Sequence, residues 1–198
     1  MVYDEGVRPV PPGPRERLII SAIELVRARG VDGTGLTELL ERSGTARRSI
    51  YQHFPRGKAE LVATSTAAAG AWLRRALQTL EGQGDVASRV RLLVTQVAEN
   101  LQAGDYTLGC PVAAAAAAAP DSAGVREAAA SAFESWTEEL AAALVREGRP
   151  GAEARSLAGF IVSAVEGALL RSRCARSTEP LEQAATQLSS LLRVGARP

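Results

Sequence analysis

An all-α protein, with an N-terminal three-helix helix-turn-helix head joined by a long helix to a helical body, is the fold class this sequence predicts. Three observations predict it. Apolar residues recur at spacings of three and four through most of the 198 residues, and no stretch of any length alternates with period two. The hydrophobic fraction is 46% with aromatics at only 4%, so the apolar content is mainly Ala, Leu and Val. Glycine and proline fall in short breaks between the periodic runs, where helices stop and start.

Residues 1–13 hold Pro9, Pro11, Pro12 and Gly13 and read as a disordered arm. Pro14 opens the first helix, because its missing N–H is not needed at that position. Leu18, Ala22, Leu25 and Val26 form its stripe, and Gly30 ends it. A second short helix is expected from Gly35 to Ser43, burying Leu36, Leu39 and Leu40. Gly44 then supplies a tight turn into a third helix, in which Ile50 and Phe54 share one face. Pro55-Arg56-Gly57 break the chain. A long helix follows from Lys58, with Leu61, Ser65, Ala68, Ala69, Trp72, Ala76 and Leu80 expected on one buried side.

The body continues with Val90, Leu93, Val94, Val97 and Leu101 on the next helix, an irregular segment from Gly104 to Pro111, and a short helix over Ala113–Ala119 stopped by Pro120. Asp121 or Ser122 can cap a helix running to Glu147, whose stripe is Val125, Ala129, Ala132, Phe133, Trp136, Leu140 and Leu144. The last two helices carry Leu157, Phe160, Ile161, Ala164, Val165, Ala168 and Leu169, then Leu181, Ala184, Ala185, Leu188, Leu191 and Leu192. The resulting division is 1–13 as arm, 14–57 as head and 58–198 as body.

The formal net charge of +1 says little, but its distribution says more. Residues 13–58 hold nine Arg and Lys against five Asp and Glu, a surplus of four cations; the remainder holds fourteen against seventeen. A basic head on a mildly acidic body points to an anionic partner for the head. Around Gly44 this becomes specific. With Ile50 and Phe54 facing inward, the opposite face presents Arg47, Arg48, Tyr51, Gln52 and, at its edge, His53. Arginine reaches guanine O6 and N7 in bidentate fashion, and glutamine reads adenine or a phosphate. Thr45, Ser49, Tyr51 and His53 offer short donors for phosphate oxygens, and Thr37 on the second helix can touch the same backbone. Lys58, the chain's one lysine, adds its charge to the free N–H groups of a helix start, a phosphate clamp. Taken singly, Arg47 and Arg48 would read as a solvated face and His53 as structural. Their order after this turn points to double-stranded DNA.

Catalysis is not expected. Cys110 beside a proline would need His53 as its base, but His53 belongs to the head. No HExxH, GxSxG, phosphate loop or glycine-rich nucleotide fingerprint is present. The single histidine leaves no metal site, and no cofactor is expected. Cys110 and Cys174 do not make a disulfide scaffold and read as free thiols of a reducing cytoplasm; a redox-responsive regulator using either is the alternative reading. No signal peptide is expected, and the Ala-rich run to Pro120 is too short and too weakly apolar for a membrane span.

The turn at Gly44, the run Ser49-Ile50-Tyr51-Gln52-His53-Phe54 and Lys58 opening the next helix resemble the TetR family of regulators. Gly33-Thr34-Gly35-Leu36, the extra Gly57, Gly109-Cys110-Pro111-Val112 and Glu166-Gly167-Ala168-Leu169-Leu170 with Pro180-Leu181 resemble its LmrA/YxaF-like branch. The resemblance covers roughly residues 15–192, with Arg48, Thr45 and Ala118 departing from the usual pattern. It implies a repressor that binds a palindromic operator as a homodimer through its last two helices and is released by a small lipophilic molecule, aromatic in many relatives. It also implies a ligand pocket among the body helices, for which Trp72, Tyr106, Cys110, Phe133, Trp136 and Glu166 are the candidates. A dimer of this kind sets its two recognition helices about 34–36 Å apart, one turn of DNA.

Overall fold

A computed structural model describes residues 12–118 and 122–194. Among them the chain forms α1 (Pro14–Arg29), α2 (Leu36–Ser43), α3 (Arg47–His53), α4 (Lys58–Thr79), α5 (Val86–Ala103), α6 (Pro111–Ala116), α7 (Ala123–Arg146), α8 (Gly151–Ala175) and α9 (Glu179–Val194), and no strand. The fold is all-α, as the periodicity predicts. Most of the expected arm and the cap at Asp121 lie outside the described residues, as does the end of the expected alanine helix at Ala119 and Pro120.

The first three helices and the start of α4 close around one small core: Leu18, Ala22 and Leu25 of α1, Leu39 of α2, Ile50 and Phe54 at α3, and Leu61 of α4. Ion pairs between Arg29 and Glu38 and between Arg42 and Glu24, each at 2.5 Å, tie α1 to α2 on the outside. These pairs are exposed and contribute little; burial of the aliphatic face holds the head together. Pro14 stands at the first turn of α1, and Gly30 (φ 76°) ends it.

In the body α4 lies along α7, α7 along α8, and α5 against α9. Two cores result. One joins α5 with α7, α8 and α9 through residues such as Val90, Val94, Leu144, Ile161, Leu181 and Leu188. The other joins α1, α4, α6 and α7 through Val26, Val62, Val112, Ala129 and Trp136.

Three elements differ from the expectation. The sequence stripe puts Trp72 on the buried side of α4, but it is 66% exposed, and the residues α4 buries are Leu61, Val62, Ser65, Thr66, Ala69 and Gly70. The reason is a close approach. A Cβ on Gly70 would sit 2.5 Å from the Ala132 Cβ, so the helices meet where only a glycine fits. The Trp136 indole N–H donates to the Gly70 carbonyl at 2.9 Å and fixes that rotation. Next, the short alanine helix begins at Pro111, two residues earlier than expected, because Cys110 occupies the cap position and its sulfur accepts from the Ala113 amide at 3.4 Å. Finally, Ser122 stands at the cap position of α7 but makes no side-chain cap bond.

Candidate nucleic-acid interface and ligand cleft

The helix-turn-helix is built from α2, a glycine turn and α3. Gly44 adopts a left-handed conformation (φ 59°, ψ 36°), which a Cβ-bearing residue holds only under strain. Its amide donates to the Glu41 carbonyl, and the Thr45 amide donates to the Leu40 carbonyl, at 3.2 Å each. The Ser43 and Thr45 hydroxyls lie 2.8 Å apart, and Arg17 Nε donates to the Ser43 carbonyl at 2.9 Å, pinning the turn to α1.

With Ile50 and Phe54 fully buried, the turn geometry aims the other face of α3 outward. Arg47, Arg48, Tyr51 and Gln52 are exposed; Thr45, Ser49 and His53 are half-buried at its edges. Thr37 is exposed on α2, and Lys58 is the first residue of α4, half-buried. Among the described residues Arg47, Arg48 and Lys58 have no ion pair, unlike Arg29 and Arg42, which α1 and α2 carboxylates neutralise. Neither α3 nor α4 has a side-chain cap, so their first N–H groups stay available. The outward face of α3 therefore carries Arg47, Arg48, Tyr51 and Gln52, with Thr45, Ser49 and His53 at its edges and Lys58 opening the next helix.

The ligand candidates divide. A cleft between α4, α5, α7 and α8 is walled by Leu73, Leu77, Leu93, Trp136 and Val162, with Glu166 as its one charged lining residue. It is narrow, with room of about 40 Å³ for a water-sized sphere, and is partly open to solvent. Phe133 packs edge-on against Trp136, ring centroids 5.3 Å apart. Burial, followed by the charge of nearby Glu166, holds the Cys110 thiol far above its ordinary pKa. Burial also raises the Glu166 carboxyl, with the nearby Cys110 opposing. Of the candidates, Trp136 and Glu166 line the cleft, while Phe133, against Trp136, and Cys110 stand outside its lining. Trp72 and Tyr106 are outside it as well: Trp72 lies on the outer surface of α4, and Tyr106 packs against the α5/α8/α9 core with the Arg176 guanidinium 5.7 Å over its ring. The redox alternative loses support at Cys110, because a thiol kept protonated is a poor nucleophile. Cys174 is free and exposed on α8.

Sequence reasoning missed a clasp between head and body. Arg27 Nε of α1 donates to the Gly109 carbonyl at 2.9 Å, and the Gly109 amide donates to the Arg27 carbonyl at 2.9 Å. Arg173 of α8 donates to the Thr107 carbonyl at 2.9 Å and the Ala28 carbonyl at 3.5 Å. A Cβ on Gly109 would fall 2.6 Å from Arg173 Nη1, so the glycine makes room for the guanidinium. The only sequence signal was Gly109 itself, standing in an irregular segment.

Comparison with known proteins agrees with this architecture. A family model of bacterial regulatory proteins of the tetR family matches residues 18–64, and one of the C-terminal domain of LmrA/YxaF-like transcriptional regulators matches residues 86–187. The chain belongs to the TetR family of transcriptional regulators, with a body of the LmrA/YxaF-like kind. It is 33% identical over 186 residues to the uncharacterized HTH-type transcriptional regulator Rv0196 of Mycobacterium tuberculosis, covering 91% of this chain and 94% of that protein. It is 25% identical to the HTH-type transcriptional regulator LmrA of Bacillus subtilis, covering 90% and 96%. The fold matches a TetR transcriptional regulator from Legionella pneumophila at TM-score 0.82 and 20% identity, covering 93% and 99%. The protein is therefore a DNA-binding regulator and not an enzyme. No helix among the described residues is long and apolar enough to cross a membrane.

Proposed function

We propose that the protein is a repressor that binds a palindromic operator as a homodimer in the cytoplasm and leaves it when a small lipophilic molecule occupies the body. The observation that carries this reading is the outward face of α3, where Arg47 and Arg48 are exposed and unpaired above the buried Ile50 and Phe54. In this reading Arg47, Arg48 and Gln52 read base edges. Thr37, Thr45, Ser49, Tyr51, His53 and Lys58 hold phosphates and set the register. The DNA-binding unit is then 14–57 and the ligand-binding and dimerisation unit 58–198.

Support for a dimer comes from the outer faces of the last two helices. Phe160, Ser163, Gly167 and Leu170 follow the three–four spacing of a packing seam on α8, and all are exposed. Phe160 is 55% and Leu170 61% exposed, and Leu191 is exposed on α9. Apolar side chains in such a row, with small residues between them, fit a four-helix bundle with a second copy. Support for a ligand comes from the cleft, whose apolar walls and single carboxylate have the make-up of a small-molecule site.

Signalling is then a population shift: ligand prefers a body conformation in which α4 and the heads have moved, and the shift can be no larger than its differential affinity for the two states. The test is a polarisation titration against the promoter region upstream of the protein's own gene, at two salt concentrations, with wild type and Arg47→Ala/Arg48→Ala. Tight, palindrome-dependent binding that weakens with salt and collapses in the variant is the expected result. Binding untouched by the double substitution would place the recognition surface elsewhere.

A further inference from the structure

We propose that Arg173 is a positioning residue for DNA binding: from α8 it closes the last turn of α1 over Gly109, and so fixes each head to the helix that carries the exposed apolar row. This deepens the reading above and rests on it for the second copy.

The end of α1 needs partners from outside the head. A helix leaves its last carbonyls without acceptor bonds of its own. Gly30 turns the chain away, and its amide satisfies only the Val26 carbonyl, at 2.9 Å. The next two carbonyls are satisfied by the body. Arg27 accepts from the Gly109 amide at 2.9 Å, and Ala28 accepts from Arg173 Nη2 at 3.5 Å. A cation there also meets the negative end of the helix dipole. The same Nη2 donates to the Thr107 carbonyl at 2.9 Å, so one nitrogen bridges α1 and the segment before α6. Two features mark Arg173 as placed for this bridge. It has no ion pair among the described residues, whereas Arg176, within a turn of it, pairs with Asp105 at 2.5 Å. Its Nε is buried and finds no acceptor among them, which costs stability.

Apolar packing alone would not fix the angle of the head. Val26 and Val31, on either side of this turn, are buried with Val112 and Ala115 of α6. Hydrophobic adhesion is non-directional, whereas hydrogen bonds have direction. The paired Arg27–Gly109 bonds and the Arg173 bridge supply that direction. The fit is close, because a Cβ on the buried Gly109 would fall 2.6 Å from Arg173 Nη1. Leu170, exposed in the apolar row of α8, stands three residues before Arg173. The surface for a second copy and the lock on α1 are therefore about one turn apart on one helix. The head thus has two attachments, α4 by covalent continuation and α8 by Arg173. One attachment leaves a hinge; two fix an orientation. Two heads held in this way keep one spacing, as paired half-sites on DNA require.

The test reads the separation of the heads without DNA. The full-length parent carries Glu41→Cys, at an exposed position of α2, with Cys110→Ser and Cys174→Ser so that only the heads take a nitroxide label. Serine also serves as the cap at position 110. Pulsed electron spin resonance then gives the distribution of label separations in the dimer. One narrow distribution is expected for the parent. Arg173→Ala and Gly109→Ala are each expected to broaden it about twofold or more, since domains without such contacts move against one another. The two variants reach the bridge from opposite sides, so one reports if circular dichroism shows that the other has not folded. Asp105→Asn is the control. It breaks the Arg176 ion pair on the same segment without touching α1, and asparagine tolerates the left-handed backbone there, φ 50°. The parent's width is expected to persist in it. A broad distribution in the parent, an unchanged width in Arg173→Ala, or equal broadening in Asp105→Asn overturns the role of Arg173. A parent that sediments as a monomer overturns the dimer reading with it, so the two failures are told apart.

Discussion

Glu166 holds a carboxylate where burial works against its charge, and this has a consequence for stability. Its folded pKa lies above the ordinary 4.5. Below that value the carboxyl is protonated in both folded and unfolded chains and nothing is lost. As pH rises past it the unfolded chain ionises first, so stability falls until the folded group ionises too. Glu166→Gln is therefore expected to raise the melting temperature at neutral pH, with the gain fading toward pH 4, which thermal scans across about pH 4–8 will show. A group that destabilises the fold and yet lines a cleft is in the position where binding residues trade stability for function. Gly70 makes the opposite case. Gly70→Ala sets a Cβ 2.5 Å from Ala132, so α4 or α7 must shift. A loss of about 1–3 kcal/mol is expected, read by denaturant unfolding, and Ala132→Gly in the same chain should recover much of it.

At the scale of elements, the head was the legible part. Gly30 and Gly44 fall where helices end, and Ile50 and Phe54 are buried as their spacing required, because the head has few residues and one core. Trp72 was misread because periodicity reports how apolar a face is and not how closely a neighbour approaches. A glycine at 70 scores as neutral in such a pattern, yet it sets the rotation of α4. The face of α3 was legible from residue types. The proximity of Cys110 to Glu166 was not, because one precedes α6 and the other stands on α8, and no local pattern joins them. Caps behave more simply. Asp85 opens α5 and accepts from the Ser88 amide at 2.8 Å; the Ser88 side chain and then that amide hold its carboxyl below the ordinary value. Asp85→Ala is expected to cost about 1 kcal/mol at neutral pH. Because the folded pKa is depressed, the cap contributes fully above the unfolded value and loses its contribution as pH falls through the folded one. Unfolding midpoints of the two proteins should therefore converge in acid.

For the whole molecule, the exposed row on α8 bears on assembly. Phe160→Asp with Leu170→Asp places carboxylates on the proposed seam between copies while leaving the chain's own cores untouched. Sedimentation should show a monomer that keeps its helical circular dichroism and loses tight operator binding, since each half-site is then read by one head alone. An unaltered dimer would place the seam on other helices. The clasp between α1 and residues 107–110 has a different bearing, on how such a protein can be re-engineered. Heads of this kind look interchangeable, since α4 runs on without a flexible joint. Yet Arg27 and the Ala28 carbonyl are shaped to Gly109 and to Arg173 of the far end of α8. A chimera that grafts this head onto a foreign trunk would carry over half of a lock without its key. The two Arg27–Gly109 bonds and the Arg173 bond to Ala28 would be missing until the matching glycine and arginine were transplanted with it.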